Sequence, residues 1–115
     1  MKAEVGYRLA FDLLDECYSR TKYDGLGSLL GDMNPDQNHG YHSADPAMFE
    51  EWMAMFNIEQ QLATTPEDCF DNMMLFLRVQ GESMGLNFDD VIRDIVLKKE
   101  STVLMWSNAA GSIER

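Results

Sequence analysis

At two places in this sequence a capping residue directly before a proline is followed by apolar residues that return at the helical period. Asp45-Pro46 is followed by Phe49, Trp52, Met53 and Phe56, and Thr65-Pro66 by Phe70, Met73, Met74 and Leu77, both at i, i+3, i+4 and i+7. The Asp or Thr side chain accepts a bond from an amide that the first turn leaves free. Proline at the first helical position loses no bond and presets φ. Each segment therefore starts a helix with one apolar stripe, and that stripe needs other elements to cover it.

The rest of the chain supplies them. Tyr7, Ala10, Leu14, Cys17 and Tyr18 place a helical face between Ala3 and Arg20. Asp24 is expected to cap a short helix carrying Leu26, Leu29, Leu30 and Met33, held to one or two turns by Gly27 and Gly31. Asn34 to Ser43 reads as a loop. The first proline-led helix is expected to end near Ile58–Leu62. The second, with Asp68 completing a near capping box, should end at Gly81 or Gly85. Asn87 then caps a last helix bearing Val91, Ile92, Ile95 and Val96. Val103–Trp106 either prolongs it or forms a further turn, with fraying beyond Asn108. No stretch alternates long enough for a strand, Ser101–Trp106 being the one ambiguous place. These patterns predict a single all-α domain over residues 1–115, a compact bundle of about four to five helices. They also contain an internal echo. Tyr7, Ala10, Leu13 and Leu14 match Phe70, Met73, Phe76 and Leu77 in spacing, and Asp24 to Leu30 matches Asp89 to Ile95 after a two-residue insertion.

The 115 residues include six Phe, four Tyr and two Trp, enough to fill a real core, so the acidity is not that of a disordered tail. Nine methionines, among them Met48, Met53, Met55, Met73 and Met74, read first as adaptable core filling and second as a groove for a partner helix. Cys17 and Cys69 lie in apolar-periodic segments without metal-ligand spacing, as expected of buried thiols in a reducing compartment. Lys2, Glu4, Arg8 and Asp12 within Met1–Leu14 do not resemble a secretory leader, and no apolar run has the length of a membrane span, so a cytoplasmic location is expected.

Charge placement is the most unusual feature. The net charge is −11, from 20 acids against nine bases, and no Lys or Arg occurs between Lys22 and Arg78. That interval holds ten acids, leaving ten acids and nine bases for both flanks together. Such a field repels nucleic acid and anionic membranes and draws in basic protein surfaces. Asp45, Glu67 and Asp68 have duties at helix starts. Asp32, Asp36, Glu50, Glu51, Glu59 and Asp71 have none evident in the sequence, and with Tyr41 they are the candidate partner-binding residues.

Chemistry is harder to find. There is no nucleophile elbow and no phosphate-cradling loop. His39 and His42, near Asp36, read as exposed loop histidines rather than metal ligands. Neither catalytic residues nor a metal nor a cofactor are expected.

The segment Asp24-Gly-Leu-Gly-Ser-Leu-Leu-Gly-Asp-Met33, followed by Ala44-Asp-Pro-Ala-Met-Phe-Glu-Glu-Trp52, resembles small bacterial immunity proteins of contact-dependent growth inhibition and related polymorphic toxin systems. The resemblance spans roughly Tyr7 to Trp52. It implies a small acidic cytoplasmic protein that binds and blocks a toxin domain, often a basic nuclease, and it carries over no individual binding residue. Two other readings stand beside it: an acidic adaptor or nucleic-acid mimic that occupies a basic partner, and a small metal-binding enzyme using Asp36, His39 and His42.

Overall fold

A computed structural model describes residues 1–34 and 43–113, with side chains through Ala109. Seven helices and no strand occur among the described residues: α1 (Ala3–Thr21), α2 (Asp24–Met33), α3 (Pro46–Ala54), α4 (Ile58–Leu62), α5 (Pro66–Met84), α6 (Asp89–Val96) and α7 (Lys99–Ile113). The all-α expectation holds. Two stretches read as a helix tail and an ambiguous end are separate helices, which raises the count above five.

The proline-led starts form as their chemistry requires. Asp45 accepts from Ala47 N at 3.0 Å, and Thr65 Oγ1 accepts from Asp68 N at 3.1 Å. α3 stops at Ala54 because Asn57 opens a new helix, exchanging side-chain bonds with Gln60 in a full capping box. α5 runs to Met84 and ends on Gly85, whose φ of 69° suits glycine. Asp24 does not cap α2. Tyr23 holds that position without a side-chain bond, and Asp24 lies inside the first turn, where the helix dipole favours it. α2 reaches ten residues despite its glycines because Leu26, Leu29, Leu30 and Met33 are all buried. Gly27 also permits close approach, since a Cβ there would sit 2.9 Å from the Tyr18 ring. Asn87 does not hold the N-cap of α6: Phe88 does, without a side-chain bond, and Asn87 one position earlier accepts from Asp89 N at 2.8 Å. Thr102 and Trp106 anchor α7.

The core centres on Trp52. Its indole donates to the Ala3 carbonyl at 2.9 Å, and its ring meets Tyr7, Phe56 and Phe76 at 5.7–5.8 Å between centroids. Trp106 packs on Phe70 at 5.9 Å in a second aromatic cluster. Met33 and Met73 are fully buried, Met48 nearly so, and Met53, Met55 and Met74 pack at the core's edge.

The internal echo has a structural counterpart. α1 and α5 each run 19 residues, end on a left-handed residue (Lys22 at φ 55°, Gly85 at 69°) and lead to a shorter helix. Positions matched in spacing touch each other. Met1 and Thr64 exchange main-chain bonds before the two helices, Gly6 abuts Cys69 within them, and the Tyr23 and Phe88 rings meet at 5.9 Å beyond them. Contacts at both ends mean that α1 and α5 lie side by side, parallel and in register. Tyr7 with Trp52 and its counterpart Phe70 with Trp106 give each half the same aromatic pair, carried by α3 and α7.

Candidate functional site: the acids of the Tyr23–Leu77 interval

Asp32 and Asp45 come together where α2 hands over to α3. Asp45 N donates to the Asp32 carbonyl at 2.9 Å, and Ala44 N to the Asn34 carbonyl at 2.7 Å. These bonds hold Asp32 and Asn34 next to Asp45 and Ala44, on either side of segment 35–42. Asp36 and Tyr41 lie in that segment, as do His39 and His42, outside the described residues. Beneath this junction the Tyr7 hydroxyl lies 3.4 Å from the Met33 carbonyl, and Ser43 contributes a second bond. Burial holds the phenol protonated far above its ordinary range, and the Asp45 and Asp32 carboxylates add to the effect.

The other candidate acids separate by what they touch. Glu50 is exposed on α3. Glu51 accepts a hydrogen bond from Gln80 Nε2, whose residue is almost wholly buried on α5. Asp71 accepts from Lys99 Nζ at 2.8 Å, and Glu67 lies 3.5 Å from the same ammonium. The Asp71 hydrogen bond is the main reason the Lys99 pKa is raised. Glu59 occupies the first turn of α4 and is exposed. Glu50 and Glu59 are therefore exposed to solvent, while Asp32 is half-buried beside the Tyr7 hydroxyl. Glu51 and Asp71 also tie elements together, through partners 29 and 28 positions away that no local pattern reveals.

Two features have no signature in the sequence. Ile58 and Leu62 of α4 are 80% and 71% exposed. Between α1 and α6 lies a cleft of about 380 Å³, lined by Cys17, Thr21, Tyr23, Asn87, Asp90 and Asp94 among others. Asp94 already faces two cations, Arg20 at 3.7 Å and Lys98 at 3.5 Å. The Cys17 thiol is wholly buried, and that burial raises its pKa. Burial likewise pushes the Cys69 thiol up to about 12. Both cysteines are free thiols, and neither is activated as a nucleophile.

Compared with protein-family models, with curated proteins and with solved structures, the chain matches none. The site therefore rests on its own geometry. Among the described residues no three His, Cys, Asp or Glu side chains are placed to hold a metal ion, and no helix is long and apolar enough to cross a membrane.

Proposed function

We propose that this protein works by binding rather than catalysis. It covers a basic protein partner with the acidic surface of the Tyr23–Leu77 interval, as an immunity protein covers the toxin domain of a contact-dependent inhibition or related system. The observation that carries the reading is the ten-acid, base-free interval, together with the exposure of Glu50 and Glu59 and the half-exposed Asp32 within it. Such a surface steers a cationic partner at long range, and the attraction weakens as salt screens it. A nuclease domain built to hold phosphate presents the matching charge.

The test pairs growth rescue with a titration. Co-expression with the toxin domain encoded next to this gene is expected to restore growth, and the purified pair is expected to associate more weakly as salt rises. Asp32→Asn, Glu50→Gln and Glu59→Gln together are expected to slow association about tenfold or more while leaving the helical spectrum unchanged. No rescue and no complex at micromolar concentration defeats the proposal, and a triple variant that associates as fast as the parent defeats the assigned surface.

A further inference from the structure

Helix α4 buries none of its five residues. A helix that short does not hold itself in water, where roughly 12–15 residues are needed. It is held here by specific bonds. Asn57 Oδ1 accepts from Gln60 N at 2.8 Å, and Gln60 Oε1 accepts from Asn57 N at 3.1 Å. Gln61 Nε2 reaches back to the Met53 carbonyl at 3.0 Å, and Thr64 N is fastened to the Met1 carbonyl at 2.7 Å. These bonds fix a helix that adds no apolar side chain to the core. What they fix is the direction of Ile58 and Leu62, four residues apart on one face and exposed.

Charge decides what covers that face. A second copy of a chain with net charge −11 is repelled at the distance from which docking begins. Glu59 adjoins Ile58, and the whole helix lies inside the interval that lacks Lys and Arg. A partner surface with basic side chains around an apolar residue satisfies both features, giving the dry centre and charged rim of a specific interface. Resting on the function proposed above, we infer that Ile58 and Leu62 are the apolar anchor of the docking surface and seat against an apolar patch on a basic protein partner. Leu97 is as exposed, at 82%, but it lies outside the interval beside Lys98 and Lys99 and serves as the control.

The probes are two synthetic peptides of equal positive charge, one of lysines alone and one with leucines interspersed at helical spacing. Binding is read by fluorescence anisotropy at low salt. The leucine-bearing peptide is expected to bind about tenfold more tightly than oligolysine. Ile58→Ser with Leu62→Ser is expected to erase that advantage and to leave oligolysine binding and the melting temperature unchanged. Leu97→Ser is expected to change none of these. Equal affinity for the two peptides overturns the anchor alone, as does an advantage that survives the α4 substitutions or falls with Leu97→Ser. Binding of neither peptide at micromolar concentration overturns the acidic-surface reading and the anchor together. Binding of the leucine-bearing peptide alone, lost with the α4 substitutions, keeps the anchor and overturns the charge reading.

Discussion

Replacing Gly6 with alanine sets two effects of known size against each other. In a helix interior alanine is favoured over glycine by about 1 kcal/mol, so an unobstructed site would gain stability. This site is obstructed. A Cβ at Gly6 would lie 2.5 Å from Cys69 Sγ and 3.1 Å from Cys69 Cβ, where carbon atoms prefer about 3.5–4.0 Å. Cys69 is wholly buried, so its sulfur has little room to turn away. Its Cβ belongs to the frame of α5, and relief there requires the two long helices to separate. Overpacking of this kind costs about 1–3 kcal/mol, and two buried obstructing atoms place it at the upper end, for a net loss of about 2 kcal/mol. Cys69→Ala removes the nearer atom. In that background Gly6→Ala is expected to be close to neutral, giving a coupling of about 2 kcal/mol in a double-mutant cycle. Urea unfolding followed by tryptophan fluorescence and by far-ultraviolet circular dichroism measures all four proteins, and agreement of the two signals justifies the free energies. A neutral or stabilising Gly6→Ala in the parent, or the same loss in both backgrounds, would refute the in-register contact of α1 with α5.

Two further outcomes follow from the caps and the thiols. Asn57→Ala removes the acceptor for Gln60 N and is expected to cost about 1 kcal/mol. Because α4 buries nothing, faster amide exchange should be confined to that helix, and a spread into α5 would contradict its peripheral placement. The folded Cys69 pKa of about 12 exceeds the ordinary thiol value of 9.0, so the unfolded chain ionises first. Stability from the buried thiol is complete below pH 9 and declines as pH rises toward 12. Cys69→Ala should flatten that part of the stability curve, and a thiol reagent should modify native Cys69 only as fast as the protein opens.

The helices most legible in the sequence were those whose starts are local. Asp45, Thr65 and their prolines act within three residues, so pattern and structure agree. Asp24 was misplaced by one position because burial of Leu26, Leu29 and Leu30, not a side-chain bond, sets where α2 begins. α4 lies inside the stretch expected as a helix tail: α3 ends at Ala54 with Met55 as its C-cap, and Asn57 caps a new helix two residues on. The interval without bases was visible as composition. Which of its acids are engaged was not, because Gln80 and Lys99 reach Glu51 and Asp71 only once the chain has folded. Ile58 and Leu62 carry no signal at all, as an apolar pair at helical spacing looks the same whether it faces the core or water.

The side-by-side placement of α1 and α5 has a consequence for how the chain is made. The residues that complete the buried face of α1 lie about sixty positions downstream, as Gly6 with Cys69 and Tyr23 with Phe88 show. A nascent chain that has emerged only through α3 carries Tyr7 and Trp52 but lacks Phe76, which closes that aromatic group. Closure of so long a loop is paid in entropy before the contacts return it. Neither half of the molecule is therefore expected to persist as a folded intermediate on the ribosome. The core forms late and as one cooperative event, once the second long helix has been synthesised and is free to dock.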